Sequence, residues 1–216
     1  MKKLLILFVF SLTVFTSCSD SVDDAVNSII DTLISYGEAS AKIDGTDTNL
    51  NNYAGFRTSA NITSIYFSDI KFDITNTDLK GDAILCFLHS DLVTAGSNIN
   101  ISLSNILQIG GDVKMAGVGV LFLTDVSAKD LFDLVSEYNR SQNVANVIQI
   151  AGQKDISVKQ ASVANILNGY INFSFTDVSE DKLSGTFSFK AFGSDNTSVE
   201  VTEGTFTDTP KDLTNL

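Results

Sequence analysis

The chain has 216 residues and a formal net charge of -12, with 26 acidic side chains against 14 basic ones. Such acidity argues against nucleic acid as a partner, because binding to phosphate groups requires a basic surface. One histidine and two cysteines are too few ligands for a zinc site built from side chains, so we expect neither a metal nor a cofactor. The length suits one domain with one sizeable core.

Residues 1–17 have the organisation of an export signal. Two lysines precede the apolar stretch LLILFVFSLTVF, which is short for a membrane span. Small residues then lead into Cys18, in an arrangement that resembles the bacterial lipobox. The resemblance implies cleavage before Cys18 and acylation of its thiol, and two or three acyl chains would anchor the protein permanently at about 0.8 kcal/mol per buried methylene.

An amphipathic helix is predicted over residues 21–37. Its apolar residues recur at spacings of three and four: Val22, Val26, Ile29, Ile30 and Leu33. Ser21 and Asp24 have the spacing of a capping box, and Gly37 suits the position after the last turn. The triplets DSV and DTL resemble the O-glycosylation acceptor of Bacteroidota, which implies glycans on Ser21 or Thr32; chance similarity and the capping role of Ser21 are the alternatives.

Beyond a polar loop at 44–52, the apolar residues alternate with polar ones. Residues 69–74 and 98–103 predict half-buried strands. Residues 83–88 and 119–123 are apolar on both sides, which predicts central strands covered by a sheet, a helix or a ligand cavity.

One helix is predicted over residues 127–139. Ser127 would be its N-cap, with Asp130 three residues on, and one face carries Leu131, Leu134, Val135 and Tyr138. Residues 146–152 and 155–159 predict further strands, whereas 162–167 fits a helical turn or a strand equally well.

The C-terminal part predicts an antiparallel meander. Inward faces are expected at Ile171, Phe173 and Phe175, then at Leu183, Phe187 and Phe189, with turns at 179–182 and 193–196. Phe206 is out of phase with the preceding alternation, so we expect a bulge near Glu203 and Gly204. Pro210, the only proline, should end the last strand.

The segments LSGTFSFKA and VTEGTFTD resemble the C-terminal strands of a family of small Bacteroidota lipoproteins of unknown function. The resemblance covers these strands and the lipobox, and it lends no activity. With the acidic stretch SDSVDD after the cysteine it implies the outer membrane, the domain facing either the periplasm or the medium.

Together these patterns predict a mainly β fold, an antiparallel β-sandwich or barrel-like meander, with an N-terminal helix and one helix near 127–139. The predicted organisation is a signal peptide at 1–17, a lipidated tether and helix at 18–40, and a single β-rich domain at 41–216.

Motifs that carry catalysis are missing: H-E-x-x-H, G-x-S-x-G, a Walker loop and G-x-G-x-x-G. Cys86 lies in an apolar run and should be a buried, inert thiol. His89 is three residues away, so the two side chains of a strand would point to opposite faces. Asp44, Asp47 and Asn49 offer oxygen ligands, but their spacing misses a calcium loop and favours a solvated turn.

The leading hypothesis is therefore a lipid-anchored, non-catalytic envelope domain that binds a protein, a glycan or a small ligand. A lipocalin-like carrier of a small apolar ligand is the alternative, since several strands are apolar on both faces. A hydrolase is the second alternative, and it would require His89 and distant acids to converge in one cleft. An apolar void inside the domain would favour the carrier, and a filled interior the binding module.

Overall fold

The computed structural model describes residues 37–71, 79–105 and 113–211. Cys18, Ser21, Thr32 and the predicted N-terminal helix lie outside these ranges. The described strands are β1 Glu38–Ile43, β2 Thr46–Asn49, β3 Tyr53–Ser59, β4 Ile62–Ser68, β5 Lys80–His89, β6 Asn98–Ser102, β7 Gly119–Ser127, β8 Ser157–Ser162, β9 Tyr170–Val178, β10 Lys182–Phe192 and β11 Ser198–Pro210. The described helices are α1 Val113–Ala116, α2 Ala128–Ser141 and α3 Val144–Gln153.

The eleven strands form one curled antiparallel sheet, which confirms the predicted fold class. We divide it into a helix-covered half, β3-β4-β5-β7-β8, and an open half, β6-β9-β10-β11-β1-β2. The two halves are joined where Phe192 at the end of β10 pairs with Gln160 of β8. The curl brings the inner faces of the two halves together.

A core rich in phenylalanine fills the space between these inner faces. Phe67 of β4 stacks on Phe187 of β10, with ring centroids 4.9 Å apart and planes 4° from parallel. Phe206 of β11 lies 5.5 Å from the same Phe67 ring. Phe173 and Phe175 continue the cluster, and all five rings are buried. The packing of these rings resembles the inside of a sandwich, in which side chains of two facing sheets interdigitate.

The helix-covered half has a second core on its outer face. The outward strand residues are apolar there, namely Tyr66, Leu85, Phe87, Leu121 and Leu123, and they pack with Leu131, Leu134, Val135 and Tyr138 of α2. These four helix residues and the N-cap at Ser127, whose Oγ accepts a hydrogen bond from the Asp130 amide, confirm the prediction for this helix. Burial against Phe87 raises the pKa of Tyr138 to about 12.

Two predicted strands are wrong in whole or in part. Residues 146–152 lie in α3, because Asn143 caps the helix by accepting from the Ala145 amide, and Val147 and Ala151, four residues apart, are buried on one face. In the segment 69–74, β4 has already ended at Ser68, and residues 72–78 lie outside the described ranges.

Two assignments near the loops also differ from expectation. Residues 46–49, predicted to be loop, form the edge strand β2, because Asp44 and Gly45 both adopt positive φ (49° and 82°) and make a tight hairpin with β1. The ambiguous segment 162–167 forms a 3-10 helix over Val163–Asn168.

The C-terminal meander follows the prediction closely. The inward residues expected on β9 and β10 are all buried. The register between β10 and β11 shifts opposite Glu203, which has a φ of 51°, so the expected bulge is present. Pro210 is the last residue of β11. Within the described ranges, none of the helices is long and apolar enough to cross a membrane.

Candidate binding face

The tripeptide Gly-Thr-Phe occurs in both β10 and β11, and the two copies lie side by side. The register pairs Gly185 with Phe206, Thr186 with Thr205 and Phe187 with Gly204. A Cβ atom added to Gly185 would meet the Phe206 ring at 2.7 Å, and one added to Gly204 would meet the Phe187 ring at 2.7 Å. Each glycine therefore provides the space that the phenylalanine of the other copy occupies.

The paired threonines lie on the opposite side of the sheet from these rings, because successive side chains of a strand alternate between its faces. From this pair the register continues across all six strands of the open half. The resulting row is Asn98, Ser174, Thr186, Thr205, Ser40 and Asn49. At about 4.8 Å per strand the row is about 24 Å long, and it carries no charge.

A second row runs beside the first, displaced by two residues along the strands, so its side chains point to the same face. It contains Asn100, Asn172, Ser188, Thr202, Lys42 and Asp47, with Glu203 added at the bulge. Lys42 Nζ lies 2.7 Å from Glu203 Oε2, and the hydrogen bond and charge of Glu203 raise the pKa of Lys42. We call the two rows together the polar face. All of its residues except Lys42, Glu203 and Asp47 are serine, threonine or asparagine.

Side chains of the polar face bond to one another and keep further hydrogen-bonding capacity. Ser40 Oγ and Thr205 Oγ1 are 3.2 Å apart, and Asn172 Nδ2 donates to Ser188 Oγ at 3.1 Å. A hydroxyl has one donor and two acceptor positions, so each such contact leaves positions that face solvent. Two shallow depressions, of about 720 and 610 Å³, lie on the face, and Glu203 and Thr205 line both.

Cys86 and His89 do not form a reactive pair. Cys86 is fully buried in the inner core, and burial raises the pKa of its thiol, which keeps it protonated. His89 caps a short 3-10 turn, where its Nδ1 accepts from the Asp91 amide at 3.3 Å. The Asp91 carboxylate lies 2.7 Å from Lys114 Nζ, which lowers its pKa, whereas it is 4.0 Å from His89 Nδ1. The imidazole therefore faces a backbone donor.

The side-chain oxygens of the segment after β1 accept hydrogen bonds from separate backbone amides and do not converge on one site. Asp44 Oδ1 accepts from the Glu200 amide at 2.8 Å, and Asn49 Oδ1 accepts from the Asn51 amide at 3.0 Å. Within residues 37–71, 79–105 and 113–211, no three acidic, histidine or cysteine side chains are grouped so that they could hold a metal ion.

The polar face is not among the features predicted from the sequence, although part of its signal is present there. In β6, β9 and β10 the positions between inward apolar residues are almost all asparagine, serine or threonine. This alternation predicts the inward faces, and the polar residues between them form the polar face. Compared with family models, with curated proteins and with solved structures, the chain has no match in any of the three.

Proposed function

We propose that this chain is a lipid-anchored, non-catalytic domain of the outer membrane that binds its ligand through the polar face. The observation that carries the proposal is the polar face itself, which extends over six strands and in which ten of thirteen side chains are uncharged hydrogen-bonding groups. The helix-covered half has its outer surface filled by α2 and α3, so the open half offers the larger regular surface for a ligand.

The filled interior supports a binding module over the carrier of a small apolar ligand. A carrier needs an apolar cavity between its sheet faces. In this domain the same space holds stacked rings, with Phe67 and Phe187 in van der Waals contact across it. The positions of Cys86 and His89 favour a non-catalytic role, because the Cys86 thiol is buried and protonated and the His89 Nδ1 accepts from a backbone amide.

The anchor follows from the lipobox and is tested independently of the ligand. Changing Cys18 to alanine should abolish labelling by an alkyne fatty acid and move the protein out of the membrane fraction. A Cys18→Ala protein that still labels and still sediments with membranes would disprove the lipoprotein assignment.

Labelling of an introduced cysteine tests the binding surface. Of the two natural cysteines, Cys18 is acylated in this proposal and Cys86 is buried, so neither should react. Thr186→Cys places a thiol in the polar face, and Thr58→Cys places one on β3, where Thr58 is also an exposed strand threonine. Each full-length protein is treated with a maleimide in the native envelope and after detergent extraction. We expect Thr186→Cys to react at least tenfold more slowly in the envelope, with Thr58→Cys unchanged. Equal rates in both settings for Thr186→Cys and also for Asn100→Cys, which keeps both central threonines, would disprove the proposed surface.

The same reagent separates the two possible orientations of the domain. A membrane-impermeant maleimide labels Thr58→Cys in intact cells if the domain faces the medium. Labelling that requires opening of the outer membrane indicates the periplasmic side.

A further inference from the structure

We infer that the ligand of the polar face is an uncharged, hydroxyl-rich glycan chain that lies across the strands of the open half. This inference rests on the proposed function and specifies its ligand class. It draws on three properties of the polar face: its charge, the side-chain types it lacks, and the direction in which its rows run.

The charge of the polar face does not suit an ionic ligand. The first row is uncharged, and in the second row Lys42 is already paired with Glu203 at 2.7 Å. Asp47 is the remaining charged residue of the face, and with the acidity of the whole chain it repels anions. Within these two rows an anionic glycan or a phosphate group would therefore meet no unpaired cation; Lys190 points outward in the next row, where its strand neighbours are Tyr170 and Glu200.

The composition of the polar face does not suit a protein partner or an apolar ligand. Protein interfaces are enriched in aromatic, methionine and arginine side chains, and their strongest contacts come from tryptophan, tyrosine and arginine. The two rows of the polar face contain none of these residue types, and Tyr170, which points outward in the next row, has its hydroxyl bonded to Glu200 Oε1 at 3.1 Å. Serine and threonine, which make up six of the thirteen residues of the polar face, are under-represented among such contacts. An apolar ligand would also find no large apolar side chain there.

The geometry of the rows matches a polymer that repeats hydroxyl groups along its length. Thr186 and Thr205 are directly paired, and Ser174 and Ser40 flank them on the next strands. Hydroxyl-bearing residues thus recur on neighbouring strands that are about 4.8 Å apart, although the Ser40 and Thr205 hydroxyls approach each other to 3.2 Å, and a hydroxyl can both donate and accept. An uncharged glycan presents the complementary pattern, since its hydroxyl groups also donate and accept. A chain along the row would make many modest hydrogen bonds.

The test measures binding of the detergent-solubilised full-length protein to immobilised polysaccharides. The probes are soluble glucan, mannan, galactan, xylan and polygalacturonate, together with the envelope polysaccharides of the producing cells, separated into neutral and anionic pools by ion exchange. The variants are Thr186→Val/Thr205→Val, which removes the central hydroxyls while keeping a residue suited to strands, and Thr58→Val as the matched control. Circular dichroism establishes that each variant is folded.

We expect binding to a neutral polysaccharide that hardly changes between about 50 and 200 mM salt, because no counterions are released. The double variant should lose at least tenfold in affinity, equivalent to about 1.4 kcal/mol, and Thr58→Val should bind as the parent does. Binding restricted to anionic polysaccharides, equal binding by the double variant, or no binding to any probe would each overturn the inference. If the probes fail while Thr186→Cys remains protected in the envelope, the proposed surface stands and the glycan assignment falls.

Discussion

The two halves of the sheet share one antiparallel pairing pattern and one inner core, and they differ in the outward side chains. In the helix-covered half most outward residues are apolar, such as Tyr66, Leu85 and Leu121, and α2 lies over them, with Ser64 Oγ donating to Asn139 Oδ1 of that helix. In the open half the outward positions of the polar face are mostly serine, threonine and asparagine, the next row carries Tyr170, Lys190 and Glu200, and no helix covers them among the described residues. Burial of apolar area is what holds a helix on a sheet, so the outward residues decide which half is covered.

The same comparison explains the repeated Gly-Thr-Phe tripeptide. Its phenylalanines serve the core that both halves share, whereas its threonines serve the surface that only the open half has. The glycines let two large rings lie on neighbouring strands without a clash. Changes to the three kinds of position should therefore affect stability very differently.

Removing a ring from the shared core should have the largest effect. Phe187 is 3% exposed and contacts Phe67 across the domain. Phe187→Ala should lower the free energy of unfolding by about 3 to 5 kcal/mol, because it leaves a cavity that both halves line. Denaturant unfolding of the purified protein measures this. A change within about 0.5 kcal/mol, as at exposed positions, would mean that the inward face of β10 is assigned wrongly.

Filling the space beside that ring should have a smaller effect. A Cβ at residue 204 would lie 2.5 Å from the Phe187 carbonyl oxygen and 2.7 Å from its ring, so Gly204→Ala should cost about 1 to 3 kcal/mol. The matched control is Gly152→Ala in α3, where an added Cβ meets nothing within 4 Å. Alanine there should stabilise the helix by about 0.5 to 1 kcal/mol. Two changes of the same sign would contradict this account of the Gly-Thr-Phe pair.

An ion-pair cluster on the helix-covered half should contribute less and depend on pH. Lys154 Nζ lies 2.6 Å from Asp130 Oδ1 and 2.9 Å from Asp133 Oδ2. The hydrogen bond from Lys154 lowers the pKa of Asp133; for Asp130, burial opposes ionisation, but bonds from Lys154 and Ser127 hold its pKa low. The same carboxylates raise the pKa of Lys154. Lys154→Met should cost about 0.5 to 1 kcal/mol near neutral pH.

The sign of each pKa shift defines the pH window for this prediction. The lowered carboxyl pKa values stabilise the fold above the unfolded value of 3.8, and this stability is lost as the pH falls through the folded values. The raised lysine pKa stabilises the fold below 10.5, and this stability is lost as the pH rises through the folded value. The difference between parent and Lys154→Met should therefore vanish in acid. A difference that persists after both carboxyls are protonated would show that Lys154 acts through packing.

Local signals made a large part of the fold predictable. The cap at Ser127 and the spacing of four apolar residues located α2, since both depend only on neighbours in the chain. The bulge at Glu203 was predictable because the alternation of Val199 and Val201 changes phase before Phe206.

The features that were not predicted from the sequence, α3 and the polar face, depend on contacts between residues that are distant in the chain. The β-branched residues around Ile148 favour a strand. As a helix, however, the segment buries Val147 and Ala151 on one face, and this burial prevails over the strand preference. The polar face depends on β1 pairing with β11, which places Ser40 beside Thr205 across 165 positions of the chain. The pattern of each strand alone contains no information about that neighbour.

The most direct test of the account removes the central hydroxyls and follows stability and ligand protection together. Thr186→Val/Thr205→Val should change the free energy of unfolding by less than about 0.5 kcal/mol, because both side chains are exposed. In the same background, a thiol reporter at Asn100→Cys should lose its protection from maleimide in the native envelope, whereas Thr58→Val should keep it. Protection that survives the double change in a fully stable protein would contradict the account, because whatever covers the face would then not depend on its central hydroxyls.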